Sequence, residues 1–212
     1  MREFHELASS LSAGTQSSPV YLLEVGCGVG NFLLPFLQAN PTLHGIGCDI
    51  SPRAVAFLQQ SEQFDPSRCH AFTADATRDD LLSAIPSGPV DYATLVFVLS
   101  AIPPSKMSDA VRNVARAMKP GGLLFMRDYG LYDHAQMRFG KGRKLEDNFY
   151  VRQDGTMAYF FDLERVEELA RDAGLEVVEN QYVKRETVNV KEGVRVPRIF
   201  VQSKLRKPVS QE

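Results

Sequence analysis

Through its first 127 residues the chain alternates short apolar runs with segments of helical spacing, and this rhythm limits the fold more than any other feature. Consecutive parallel strands need a crossover between them, usually a helix, so β-α repetition implies a parallel sheet covered on both faces. Residues 20–25 read as apolar on both faces, as a central strand must be. A helix is expected over 31–38, a strand over 43–49, and a second helix from Ser51-Pro52, where serine can cap and proline suits the first turn. The pattern continues with a strand over 68–74, a short helix over 79–85 and a central strand over 90–100, the most apolar segment. A helix over 103–118 is expected to stop at Lys119-Pro120-Gly121-Gly122, before a fifth strand over 123–127.

After Arg127 the rhythm breaks. The stretch 128–161 is too long, and too rich in Tyr, Phe, Arg and Gly, to be a plain connection, so it is expected to be a functional insertion on the substrate side. Helical spacing returns over 162–173 with Gly174 as the stop. Two strands, 175–188 and 194–205, are expected to pair across Val190-Lys191-Glu192-Gly193 as a hairpin. With no polar spacer, 212 residues read as one domain over 1–208 and a short tail over 209–212.

A composition of 44% hydrophobic and 24% charged residues argues against wholesale disorder, and the longest nearly apolar run, residues 93–102, is too short to span a bilayer. No apolar signal region follows Met1, so the cytoplasm is expected, with the nucleus as a second compartment and no membrane partner. The net charge is −2, yet residues 181–208 carry eight Lys and Arg against Glu186 and Glu192. That basic stretch reads either as a phosphate-contacting surface or as a solvated strand face and tail. Cys27, Cys48 and Cys69 lack the spacing of a zinc site and are odd in number, so neither metal nor disulfide framework is expected.

Leu22-Leu23-Glu24-Val25-Gly26-Cys27-Gly28-Val29-Gly30 puts a glycine cluster where a buried strand turns toward a helix, the setting in which backbone can approach a ligand closely. A dinucleotide fingerprint wants G-x-G-x-x-G, whereas these glycines fall as G-x-G-x-G. The E-x-G-x-G-x-G form resembles the first motif of the class I S-adenosylmethionine-dependent methyltransferases. That resemblance implies a Rossmann-like α/β fold: a mainly parallel seven-stranded sheet, helices on both faces and an antiparallel C-terminal hairpin. It further implies that S-adenosylmethionine is met by Glu24, Gly26, Gly28, Gly30, Asp49, Asp75, Ala76 and Val96. Asp49 would accept the ribose hydroxyls, Asp75 would lie near the adenine amine with Ala76 beside it, and Val96 would line the channel. Each Asp taken alone also reads as a strand-end turn residue.

The insertion narrows the resemblance. Arg127-Asp128-Tyr129-Gly130-Leu131-Tyr132-Asp133, Arg138-Phe139, the run 148–156 and Tyr159-Phe160-Phe161 resemble the tRNA N3-methylcytidine methyltransferases. Arg185-Glu186-Thr187-Val188-Asn189, Lys191-Glu192-Gly193 and Val196-Pro197-Arg198 are similar to the branch acting on serine tRNAs. The resemblance implies methylation of N3 of an anticodon-loop cytidine, with tRNA as partner and an association with seryl-tRNA synthetase. Members of the family carry a Trp- and Tyr-containing segment ahead of the point matching Arg2-Glu3-Phe4. The present chain starts at Met1 and has no Trp, which keeps open a non-catalytic module; a small-molecule methyltransferase is the other alternative.

Cytidine N3 carries a lone pair and needs no strong base, so positioning should supply most of the rate. Asp128 is expected to accept a hydrogen bond from the cytosine amine and to balance the charge gained on methylation, with Tyr129 beside it. Tyr129, Tyr132 and Phe149 are expected to stack on the base. Arg127, Arg138, Lys141, Arg143, Lys144, Arg152, Arg198 and Lys204 are expected to meet phosphates, with a solvated loop as the plain alternative for 138–144. The plain alternatives are that Asp128 caps a loop and that the aromatic residues anchor the insertion.

Overall fold

The computed structural model describes residues 19–189 and 194–209. Its centre is a seven-stranded sheet. In chain order the strands are β1 (Val20–Val25), β2 (Leu43–Asp49), β3 (Cys69–Thr73), β4 (Val90–Val96) and β5 (Met118–Tyr129), and the sheet closes with the long pair β9 (Glu176–Asn189) and β10 (Val194–Arg206). The spatial order is β3-β2-β1-β4-β5-β10-β9. The first five strands run parallel, and β10 is antiparallel to both β5 and β9. Helices α1 (Leu33–Ala39), α2 (Pro52–Gln59), α3 (Pro104–Ala117) and α5 (Leu163–Asp172) cover it. Alternation along each strand separates two apolar layers. Leu22, Phe125 and the α1–α2 side chains form one, while Leu23, Met126, Val201 and residues of α3 and α5 form the other.

Local chemistry sets the helix starts. Ser51 accepts a hydrogen bond from the Ala54 N–H at 3.2 Å with Pro52 in the first turn, and Asp162 accepts from the Arg165 N–H at 2.7 Å. Helix α1 begins only at Leu33, two residues later than its spacing predicts, and has no side-chain cap.

Two boundaries differ from the sequence expectation. The strand expected over 90–100 ends at Val96, because Phe97 takes a φ of +57° and the chain turns through a 3-10 segment, Leu99–Ala101. An apolar run looks alike in a buried strand and in a buried turn. The stop expected at Lys119–Gly122 is instead part of β5, with a register irregularity opposite Val90 to Tyr92 and Gly121 at φ +78°. Backbone hydrogen bonds from Gly121 to Lys207 and from Lys207 to Gly122 keep that stretch in the sheet.

Between β5 and α5 the insertion folds as α4 (His134–Met137) and a small antiparallel sheet of β6 (Lys144–Glu146), β7 (Phe149–Val151) and β8 (Met157–Tyr159). Its entry and exit are pinned together, the Leu131 N–H donating to Phe161 O and the Phe161 N–H to Tyr129 O, both at 2.8 Å. The β9–β10 pair outruns the sheet: Phe200 faces Tyr129, the last residue of β5, so Val194–Ile199 and their β9 partners project beyond the carboxyl edge as a two-stranded arm. The turn expected at 190–193 and the match at Arg2-Glu3-Phe4 lie outside the described residues. No described helix is long and apolar enough to cross a membrane.

Candidate functional site

The strand order reverses between β1 and β4, and at the carboxyl ends of the parallel strands lies a cavity of about 260 Å³. Open α/β sheets bind ligands at this position because neighbouring loops diverge there. Val25 and Gly26 at the end of β1, Asp49 and Ile50 at the end of β2, Ala74, Asp75 and Ala76 after β3, and Phe97, Val98, Ala101 and Ile102 after β4 line it. Asp49 accepts the Gly28 N–H at 2.9 Å on one oxygen and the Ser51 N–H at 2.8 Å on the other. Each carboxylate oxygen has a further lone pair, so the bonds that fix Asp49 leave room for a pair of hydroxyls.

The glycine loop fits a close ligand. Gly28 has φ +52° and a side chain there would meet nothing within 4 Å, so the backbone borders open space; at Gly26, φ +72°, a Cβ would collide with Val98 Cγ2. Behind the loop Glu24 is buried, its pKa raised to about 8, chiefly by burial, with the Asp49 charge adding and the Leu33 N–H opposing. Its Oε2 has no hydrogen-bond partner among the described residues. A cradle of exposed backbone, a hydroxyl-accepting carboxylate and an orphaned buried oxygen suit S-adenosylmethionine. Asp75 lines the cavity while its carboxylate also takes the Thr77 N–H and hydroxyl at 3.0 and 2.7 Å, bonds that hold it below the usual carboxylate range. Sequence reading missed Asn113, whose amide donates to Ala76 O at 2.9 Å and Asp79 O at 2.6 Å and so ties α3 to this loop.

A second cavity, about 340 Å³, opens between β5, the insertion and the arm. Tyr129, Phe139 and Phe160 supply aromatic walls, and Arg138, Arg152, Gln153 and Arg198 supply polar ones. The Arg152 and Arg198 guanidinium carbons lie 5.2 and 5.8 Å from the Tyr129 ring centroid. Arg198 is held by Asp133, a fully buried carboxylate that accepts Arg198 Nε at 2.9 and 3.1 Å, the Ile199 N–H at 2.7 Å and the Ala135 N–H at 2.9 Å. The two cavities share a wall: Phe97 lines the first, Tyr129 the second, and their ring centroids are 5.0 Å apart.

A family model described as a methyltransferase domain matches residues 2–180. The tRNA N(3)-cytidine methyltransferase METTL6 of Mus musculus is 53% identical over 98% of this chain and 73% of its own length. This chain belongs to the tRNA N(3)-cytidine methyltransferases. The human METTL6 enzyme is 49% identical over 98% of this chain and 72% of its own, and METTL2 of Bos taurus 44% identical over 98% and 56%. Solved structures agree on the fold. A SAM-dependent methyltransferase of Methanosarcina mazei superposes with a TM-score of 0.69 at 18% identity, covering 92% of this chain and 95% of its own. The seven-stranded class I architecture expected from the sequence is therefore the fold of this family member.

Among the expected site residues, Gly26, Asp49, Asp75 and Ala76 line the first cavity, while Gly28, Gly30 and Glu24 build the loop behind it. Tyr129, Arg138, Arg152 and Arg198 meet at the second. Four assignments need correction. Val96 packs in the α1–α2 layer, and the next residues, Phe97 and Val98, form the cavity wall. Asp128 is fully buried and faces away from Tyr129, because successive strand residues point to opposite faces. Its carboxylate accepts the Ser100 and Tyr129 N–H groups, each at 2.9 Å, so it braces the 3-10 turn instead of lining the substrate cavity. Arg127 is buried with Nη1 on Gln202 at 2.8 Å, which puts it inside the sheet. Phe149 is a core residue against Tyr159. Tyr132, exposed at φ +64°, and Lys204, in register with Phe125, are not among the residues that line the second cavity. Phe97, read as part of a strand, and Phe139 and Gln153, which lie inside the strings that carry the resemblance, were not assigned as wall residues, since only the tertiary packing brings them to a cavity.

Proposed function

We propose that this protein transfers a methyl group from S-adenosylmethionine to N3 of a cytidine in tRNA, and that its substrate is an anticodon-loop cytidine of serine tRNAs. The adjacency of the two cavities, whose linings touch at Phe97 and Tyr129, carries this reading, because methyl transfer needs a donor site and an acceptor site opening side by side so that the sulfonium methyl and N3 come into direct contact. Asp49, the Gly26–Gly30 loop, Asp75 and Ala76 would hold the cofactor, which supplies an electrophilic methyl group when bound. The second cavity's walls are aromatic rings, arginines and the Gln153 amide among the described residues. Cytidine N3 is already unprotonated at neutral pH, so such a wall meets the needs of the reaction: rings to stack on a base taken out of its stack, an amide to address its polar edge, and guanidiniums for neighbouring phosphates.

Several placements support division of labour. Tyr129 packs against Phe97, Phe160 and Phe200, which fixes its ring before any substrate arrives and lowers the ordering cost of binding. Asp133 holds Arg198 in place, while Asp128 ties the wall after β4 to the end of β5. The association with seryl-tRNA synthetase belongs to this reading through the similarity of Arg185–Asn189 and Val196–Arg198 to the serine branch, with the cytoplasm as main compartment and the nucleus as second. The test is incubation with bulk tRNA and labelled S-adenosylmethionine, with and without seryl-tRNA synthetase, followed by nucleoside analysis. Label in 3-methylcytidine of serine tRNA is the expected result, increased by the synthetase. Label confined to another nucleoside, or transferred only to small molecules, would overturn the reading.

A further inference from the structure

Glu24 lies under the glycine loop with part of its carboxyl unused. It shares a face of β1 with Leu22, in the layer to which α1 and α2 contribute apolar side chains. Its carboxyl takes the Leu33 N–H at the start of α1, so the side chain bridges the two ends of the loop. Oε2 is buried and has no hydrogen-bond partner among the described residues. The groups around it do not balance a negative charge. Asp49 on β2 adds repulsion, and the thiols of Cys27 in the loop, Cys48 on β2 and Cys69 on β3 are all pushed up by burial and keep their protons. Thr94, the partner in register on β4, does not titrate, and Arg127 on β5 is engaged by Gln202 and the Phe200 ring. An anion is costly in such a place, and burial accordingly raises the Glu24 pKa to about 8.

The cofactor brings a cation close to this carboxyl. With the ribose at Asp49 and the methyl directed past Phe97 toward the second cavity, the sulfonium lies between them, over Gly26, where the backbone rests against the Val98 side chain. Gly26 is two residues beyond Glu24, about 7 Å along the strand. In a medium of intermediate polarity a unit charge at such a distance changes the proton affinity of a carboxyl by about tenfold. S-adenosylhomocysteine carries the same anchoring groups without the sulfonium charge. Resting on the cofactor placement proposed above, we infer that Glu24 distinguishes donor from spent product by charge: it is a protonated acid in the empty pocket, releases its proton when the sulfonium binds, and keeps it when the uncharged thioether binds. The pocket then favours the donor increasingly as pH rises, because an ionised Glu24 attracts only the cation.

Calorimetric titrations with both ligands, in buffers of unlike ionisation enthalpy, test this. At pH 7 the wild-type protein should release about 0.4 of a proton on binding S-adenosylmethionine and clearly less on binding S-adenosylhomocysteine. Glu24→Gln keeps an acceptor for the Leu33 N–H but has no proton to give up. From pH 6.5 to 8.5 the wild-type preference for S-adenosylmethionine over S-adenosylhomocysteine should rise about fivefold relative to that of Glu24→Gln. The ammonium groups of the ligands titrate alike with both proteins and cancel in that comparison. Equal pH dependence in the two proteins would overturn the inference. So would equal proton release by wild type with the two ligands, a measurement that needs no variant and decides the matter if Glu24→Gln does not fold. Both failures can occur while the wild-type protein still forms 3-methylcytidine in tRNA. Failure of the wild type to bind either ligand would instead overturn the cofactor placement and the inference together.

Discussion

Asp49 and Asp128 show how unlike two buried or half-buried carboxylates can be near the carboxyl ends of two strands of one sheet. Asp49 keeps lone pairs free at a cavity, so Asp49→Ala should weaken S-adenosylhomocysteine binding by about 1–3 kcal/mol in calorimetry while the fold persists. Asp128 has no such opening. Burial raises its pKa from 3.8 to about 6 against the opposing pull of the Ser100 and Tyr129 N–H groups and the Arg152 charge. Because the folded carboxyl keeps its proton to higher pH than the unfolded one, its contribution to stability is largest at low pH and is lost as pH rises through 6. Asn keeps one acceptor and has no charge to bury. From pH 4.5 to 7.5 the stability of Asp128→Asn relative to wild type should therefore rise by about 2 kcal/mol in denaturant titrations. A flat difference across that range would show that Asp128 does not ionise within it.

At the scale of elements, the insertion is held by the layer of the main core that it shares with α3 and α5 and by a pinned neck. Phe149 packs in the layer that includes Tyr159, Phe161 and α5. Phe149→Ala should lower stability by about 3–5 kcal/mol in thermal or denaturant melts, with tRNA KM unchanged at temperatures where the variant is folded. A raised KM in a fully folded variant would return Phe149 to the substrate surface. Helix α2 depends on its first turn: Ser51→Ala should cost about 1 kcal/mol, read in the same melts, because the Ala54 N–H loses its acceptor. The chain's alternation made these elements legible, and Ser51-Pro52 and Asp162 marked two helix starts correctly. The end of β4 was not legible, since residues 97–102 are as apolar as the strand before them and only the positive φ at Phe97 takes the chain out of the sheet.

Across the whole molecule, function rests on two cavities from distant parts of the chain meeting at one aromatic contact. Tyr129→Ala should raise tRNA KM with S-adenosylhomocysteine affinity near normal, whereas Phe97→Ala should weaken both, because its ring lines the first cavity and packs against the Tyr129 ring that lines the second. Identical profiles in calorimetry and steady-state methylation would mean the wall is not shared in this way. The sequence by itself determined the repeating β-α order, the glycine loop and the acidic strand ends, since each of these rests on local spacing and on which residue a backbone turn tolerates. Only the tertiary structure decided which of Asp128 and Tyr129 faces the substrate cavity, that Arg127 and Phe149 are inside, and that Arg198 meets Asp133 across 65 residues. Strand alternation permits either face until packing chooses one. An Arg reads alike in sequence whether it will meet a phosphate in water or a buried carboxylate, because long-range partners, and not its own neighbours, fix its surroundings.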